Sequence, residues 1–252
     1  MILLEGQKVA SQIIENLKTK DLSAVSLHII LVGQDQNSLK YVSLKQNKCQ
    51  ELGIKCIVHH LPEITPTPDL ITLIQQLNTD PAVTGFFIQL PLPPHIDKNK
   101  ILSQINPLKD VDGLTPASRF TPAVVRGVIT LLDAYHLSFA EKTAVIINDT
   151  NLIGIPLKKI LEQRKCRVII CNEFTKNVAK ISRGADYIFS ATGVKGLVTA
   201  DYIKPSAVVV DIGGGDVNFV NVSALCSYIT PTFGGVGPLT IACLLQNLGE
   251  LL

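Results

Sequence analysis

Nowhere in these 252 residues is there an apolar run approaching the roughly twenty residues that cross a bilayer, nor does the N-terminus show the basic, apolar, small-residue pattern of a secretory signal. A cytoplasmic protein with no membrane partner is the expectation. Charge is also scarce: 17% of residues are charged, the formal net charge is +2, and no dense run of Lys and Arg is present to grip a phosphate backbone. Nucleic acid is therefore excluded as the expected partner. Cys49, Cys56, Cys166, Cys171, Cys226 and Cys243 form no Cys-x-x-Cys pair and have no His at zinc-ligand spacing, so reduced, mostly buried thiols are expected, without a disulfide framework or a metal. His59-His60 is the nearest approach to a metal motif. Neighbouring side chains on a strand point to opposite faces, which favours solvated or structural histidines. Internal repeats, low-complexity tracts and long linkers are missing too.

What the chain does have is an alternation of helical and strand patterns from end to end, with short, apolar, β-branched strands of the kind found in covered parallel sheets. The fold class is α/β. Periodicity and turn signals predict helices over 6–18, 38–52 and 68–78, and strands over 26–32, 54–59 and 85–90, the last stopped by Pro91, Pro93 and Pro94. From about Pro122 the pattern restarts: a helix through Leu132, a strand over 143–147, a turn from Asn148 to Gly154 and a helix from Pro156. Strands over 167–171, 187–191 and 207–211 complete a second sheet. This reads as two domains facing each other across a cleft, the usual place for a ligand. The expected division is 1–119, joined by a C-terminal helix over 238–252, and a Rossmann-like parallel-sheet domain over 120–237.

Three segments carry chemistry. Tyr41 and Lys45 lie four residues apart inside a predicted helix, so a phenol and a primary amine share a face and can address one ligand. A solvated helix face carries such a pair just as readily. Gln89 ends a buried strand before Leu90-Pro91-Leu92-Pro93, which brings its amide out at the carboxyl edge of the sheet, where open α/β folds bind ligands; an ordinary polar strand end has the same pattern. Lys109-Asp110-Val111-Asp112-Gly113 sets two carboxylates before a glycine, a turn or a binding site.

Taken together, in this order and spacing, the three segments resemble the methylene-tetrahydrofolate dehydrogenase/methenyl-tetrahydrofolate cyclohydrolase family. The likeness continues through Phe174-Thr175-Lys176-Asn177, Ile203-Lys204-Pro205, Tyr228-Ile229-Thr230-Pro231 and Gly234-Gly235-Val236-Gly237-Pro238-Leu239-Thr240, and so covers nearly the whole chain. The resemblance implies a homodimeric enzyme of one-carbon metabolism that oxidises methylene- to methenyl-tetrahydrofolate with a nicotinamide cofactor and then hydrates the product to formyl-tetrahydrofolate. The first domain then becomes the folate-binding catalytic domain and the second the dinucleotide domain. Lys45 is the candidate base, since a lysine beside the methenyl cation in a partly dry site has its pKa lowered. Gln89 can bond that amine without a charge that would keep it protonated. Tyr41 can stack on the pterin, and Asp112 can accept two parallel hydrogen bonds from its ring N–H and amino group. Asp110 is expected to shape the turn. Leu90, Pro91, Gly234, Gly235 and Pro238 are the remaining expected substrate contacts, and Asn148, Asp149, Thr150, Ile153, Gly154, Glu173, Thr192, Gly193, Ile212 and Gly213 the expected cofactor contacts.

The dinucleotide half departs from the family pattern. Asn148-Asp149-Thr150 stands where a Gly-Arg/Ala-Ser run is usual, so the first glycine is gone and Asp149 takes the place of an arginine that often meets the 2′-phosphate of NADP. Glu173 lies at a second such position. Carboxylates there repel a phosphate and accept from a ribose hydroxyl. Val124 and Val125 replace a usual Thr and Pro, the segment from Gly113 to Phe120 is short, a hairpin after Gly213-Gly214-Gly215-Asp216-Val217 is missing, and Phe233 replaces a proline. NADP by resemblance, NAD through Asp149 and Glu173, and a weakened dehydrogenase with the cyclohydrolase kept are the resulting alternatives. Two other classes are a degenerate folate- or nucleotide-binding protein, and a short-chain dehydrogenase, which shares Tyr-x-x-x-Lys but places it after a glycine-rich turn that Gly33-Gln34-Asp35 does not supply.

Overall fold

The computed structural model describes residues 1–251. In chain order the first part contains β1 (Ile2–Leu3), α1 (Gly6–Lys18), β2 (Ser26–Val32), α2 (Gln36–Glu51), β3 (Lys55–Leu61), α3 (Thr67–Thr79), β4 (Gly85–Ile88) and α4 (Lys98–Leu102). Then follow α5 (Ala123–Ala134), β5 (Thr143–Ile147), α6 (Gly154–Gln163), β6 (Arg167–Cys171), α7 (Val178–Ser182), β7 (Tyr187–Ser190), β8 (Val208–Asp211), α8 (Phe219–Ser223), β9 (Tyr228–Ile229) and α9 (Val236–Gly249). Among the described residues the strands form two parallel sheets, β3-β2-β4 and β1-β9-β8-β7-β5-β6.

Ile13–Ala123, with the chain from Ile241, forms one compact unit. Its central strand β2 is buried at every position, which is why its sequence is an apolar run rather than an alternation. Helix α3 covers the sheet with Leu70, Ile74 and Leu77, at the spacing of one helical face. The backbone at Lys109 and Asp110 adds to the edge of β4: the Phe86 amide donates to the Lys109 carbonyl at 2.9 Å. Only glycine permits this approach at residue 85, where a Cβ atom would come within 2.3 Å of Val111 Cγ1. Strand β4 stops at Ile88 rather than at Leu90. Gln89 still donates its N–H to the Ile30 carbonyl at 2.8 Å, but Pro91 has no N–H to continue the ladder. The histidines are structural: His28 Nδ1 lies 2.9 Å from His59 Nε2, and His60 Nε2 bonds the Gly33 carbonyl at 2.8 Å.

Met1–Gln12 and Val124–Thr240 form the other unit. Its core gathers Val145, Ile147, Ile188, Val209 and Ile229 from neighbouring strands. Ile2 and Leu3 pair with Tyr228 and Ile229, so the first residues of the chain contribute a short strand to the second sheet. Two-residue strands are too short to show a period. Strand β5 has β6 on one side and β7 on the other, so the order of winding reverses there. Such a switch point leaves a crevice at the carboxyl ends of the strands.

Candidate active site

Helix α2 is opened by Asp35, whose side chain accepts from the Ser38 amide at 2.7 Å. Its buried residues are Ser38, Val42, Lys45 and Cys49, a stripe at helical spacing that faces the sheet. Lys45 is therefore a lysine in a core position, 5% exposed, with Nζ 3.1 Å from Gln89 Oε1 and 4.0 Å from the centroid of the Phe87 ring. Burial pushes its pKa below the ordinary lysine value, opposed by the nearby Asp112 carboxylate. Gln89 is held by its other end: Nε2 donates to the Leu90 carbonyl at 2.8 Å, which leaves Oε1 as the acceptor facing the amine. Tyr41, one turn before Lys45, is 43% exposed. The pair thus divides between environments, the amine turned under the helix and the phenol open to solvent.

In the Lys109 to Gly113 segment the two aspartates separate by role. Asp110 is fully buried and spends its carboxylate on the turn, accepting from the Leu114 amide at 3.0 Å and the Thr115 amide at 2.8 Å. Asp112 is partly buried and its carboxyl is pushed up to about 6, by desolvation first, with the Asp110 charge adding and Lys45 opposing. Gly113 has φ +69°, and a Cβ there would lie 2.7 Å from the Pro122 backbone, so this position accepts only glycine. Lys45, Gln89 and Asp112 thus form one electrostatic group, an amine and a carboxyl whose ordinary charged forms are both disfavoured by burial.

In the other unit the predicted cofactor residues collect at the carboxyl ends of β5, β6, β7 and β8. Asn148 sits at the switch point: Nδ2 donates to the Ala191 carbonyl at 2.8 Å, while Oδ1 accepts from Thr150 N (2.9 Å), Thr150 Oγ1 (2.8 Å) and Gly154 N (3.0 Å). Its side chain is committed to shaping the turn. A Cβ on Gly154 would come within 1.9 Å of the Asn148 carbonyl oxygen, so glycine is needed for α6 to start against β5. Ile153 precedes α6 without a side-chain cap. Past β7, Gly193 has φ +72°, and past β8, Gly214 has φ +75°; a Cβ on either would meet nothing within 4 Å. Backbone open in this way at the strand ends fits a dinucleotide. Asp211 folds the loop carrying Ile212 and Gly213, accepting from the amides of Gly214, Gly215 and Val217. Farther on, Gly234 has φ +79° and its carbonyl accepts from the Gln7 amide at 2.8 Å; Gly235 and Pro238 flank the start of α9.

The sequence matches two family models in tandem: residues 4–112 the tetrahydrofolate dehydrogenase/cyclohydrolase catalytic domain, and residues 122–252 the NAD(P)-binding domain of the same enzymes. The chain belongs to the tetrahydrofolate dehydrogenase/cyclohydrolase family. It is similar to the bifunctional protein FolD of Thermodesulfovibrio yellowstonii, 41% identical over 97% of this chain and 94% of that protein. The crystal structure of the FolD dehydrogenase/cyclohydrolase of Campylobacter jejuni superposes with a TM-score of 0.93 at 39% identity, covering 100% of this chain and 98% of that one. The Trypanosoma brucei FolD, solved with NADP and an inhibitor, gives 0.93 at 29% identity over 99% and 96%.

For a member of this family, four residues not singled out from the sequence stand close to the predicted ones. Phe87 carries the Lys45 ammonium over its ring; its place two residues before Gln89, on the same strand face, was a readable signal. Asn172 donates from Nδ2 to Asp149 Oδ2 at 2.9 Å. Ser190 and Thr192 both donate to Asp216 Oδ2, the hydroxyls at 2.7 and 2.9 Å and the Thr192 amide at 2.6 Å. Asp216 Oδ1 is buried with no partner among the described residues. No periodicity announces these bonds, since they depend on loops meeting across strand ends.

Proposed function

We propose that this chain oxidises methylene-tetrahydrofolate to methenyl-tetrahydrofolate with a nicotinamide dinucleotide and hydrolyses the product to formyl-tetrahydrofolate. The observation that carries the reading is the buried Lys45 amine bonded to a neutral amide, Gln89, beside Asp112. Methenyl-tetrahydrofolate is a cation whose reactive carbon is attacked by water. In hydrolysis the water oxygen bonds to that carbon and Lys45 takes the proton that the water loses. The carbon–nitrogen bond then breaks: the proton held by Lys45 passes to the departing nitrogen, the second proton of the water leaves the hydroxyl for solvent as the C=O forms, and a formyl group remains on the other nitrogen. A permanently charged lysine cannot accept that proton, and both burial and an uncharged partner at 3.1 Å favour the neutral amine. Asp112, with its carboxylate unspent on the turn, anchors the pterin by accepting two N–H groups, and Tyr41 offers an exposed ring for stacking.

Asn148 to Gly154, Thr192-Gly193 and Ile212-Gly213 are the residues that would hold the dinucleotide, which when bound supplies the acceptor for the hydride leaving the methylene carbon. The folate-catalytic role belongs to the unit holding Lys45, and the dinucleotide role to the unit holding β5. A homodimer in the cytoplasm completes the reading. In support of the last point, no helix among the described residues is long and apolar enough to cross a membrane. The test is to supply purified protein with methylene-tetrahydrofolate and either dinucleotide and to follow both reduced nucleotide and formyl-tetrahydrofolate. Formation of both supports the reading, and formation of neither overturns it.

A further inference from the structure

Ile147 and Cys171 are register partners at the ends of β5 and β6, so the residues that follow them emerge side by side. There Asn172 Nδ2 donates to Asp149 Oδ2 at 2.9 Å, while Asp149 Oδ1 carries no hydrogen bond among the described residues. Asn172 is itself fixed. Its Oδ1 accepts from the Phe174 amide at 3.1 Å and from Thr175 Oγ1 at 3.0 Å, and its own amide donates to Thr175 Oγ1 at 3.0 Å. The Asp149 carboxylate, in the turn of the first strand–turn–helix, is thereby tethered to the residue that follows the second strand, β6, and Glu173 stands exposed beside the tether. From Asn148 to Gly154 there is no basic residue, and the first one after β6 is Lys176.

A carboxylate standing at the end of the second strand of such a unit accepts from the adenosine ribose of an unphosphorylated dinucleotide, whereas a 2′-phosphate needs a cation; Glu173 follows that strand directly, and Asn172 holds Asp149 beside its end. We propose that this chain selects NAD over NADP, with Asp149, positioned by Asn172, accepting from the ribose 2′-hydroxyl and, together with Glu173, repelling a 2′-phosphate. This inference rests on the dinucleotide reading above and adds the choice between its two ligands. Asn172 acts as a positioning residue, because its amide decides where the carboxylate stands.

The test is equilibrium binding by calorimetry, with NAD and NADP titrated separately into the intact protein in the absence of folate. NAD binding tighter by about tenfold or more is the expected result. Asp149→Asn, at an exposed position, should narrow that ratio by relieving the repulsion of NADP. Asn172→Ala removes the donor to Asp149 without adding a charge, and should weaken NAD more than NADP and so narrow the ratio. NADP binding as tightly as NAD, or more tightly, overturns the inference and leaves the dinucleotide reading standing. Binding of neither overturns both.

Discussion

Replacing Gln89 by Glu is the sharpest perturbation of the Lys45 site, because it changes charge at nearly constant size. In the native protein Gln89 Oε1 stands 3.1 Å from Lys45 Nζ. A unit charge placed there attracts the ammonium by about 5 kcal/mol for that 3.1 Å separation at an effective dielectric of about 20, equivalent to about four pKa units. Even half of that, about two units, lowers the neutral amine about a hundredfold at any pH well below the native pKa of Lys45. The substitution also removes the donor to the Leu90 carbonyl, so the variant should melt somewhat lower, by the equivalent of about 1–3 kcal/mol, while still folding. Hydrolysis of methenyl-tetrahydrofolate should fall at neutral pH, by up to about a hundredfold for a two-unit rise, and recover as the pH is raised. The assay is the loss of methenyl-tetrahydrofolate across a pH series, with thermal melting as the control for folding. An unchanged rate and an unmoved profile would refute the argument that a neutral partner sets the state of Lys45.

The Asp112 carboxyl, pushed up to about 6, should give kcat/KM for hydrolysis an acid limb near that pH: the carboxylate that accepts the pterin is lost as pH falls through about 6, and Asp112→Asn should abolish the limb along with most of the affinity. The same shift has a stability sign. The native value lies above the 3.8 of an aspartate in water, so ionising Asp112 costs stability, a cost absent below about 3.8 and complete above about 6; Asp112→Asn should raise the denaturation midpoint at neutral pH but leave it unchanged in acid. Gly113→Ala forces a Cβ within 2.7 Å of the Pro122 backbone at φ +69° and should destabilise the protein by roughly 2 kcal/mol or more, read by chemical denaturation. Asp216→Ala leaves the buried Ser190 hydroxyl without its acceptor and frees the Thr192 turn, so a loss of about 1–3 kcal/mol in stability should accompany weaker dinucleotide binding in calorimetry.

The alternation of strands and helices was legible because covered parallel strands are written as short apolar runs: the buried strands 26–32 and 143–147, and the half-buried edge strand 167–171, have the same limits in sequence and structure. Strand β1 was not legible, since pairing with β9 is a long-range fact about two residues. At the site, sequence brought out Tyr41 and Lys45 as one face of a helix, yet only the fold distinguishes the buried amine from the exposed ring. The stripe of Ser38, Val42, Lys45 and Cys49 was present in the spacing, and a lysine within it is the local signal of a group held away from water. Asp110 and Asp112 are alike in sequence. They separate only when the amides of Leu114 and Thr115 are seen to occupy one of them. Asn148, an expected ligand contact, is also the hub of its own turn, which no local pattern announces.

The measurement that tests the central claim most directly is the hydrolysis of methenyl-tetrahydrofolate by the native protein and by Lys45→Met in parallel, with melting curves of both. Met fills the same buried space over Phe87 without the amine, so the variant should fold as stably as the native protein or more so. The account predicts rapid hydrolysis by the native protein and none above the uncatalysed rate by the variant. Hydrolysis at the native rate by a well-folded Lys45→Met would contradict it.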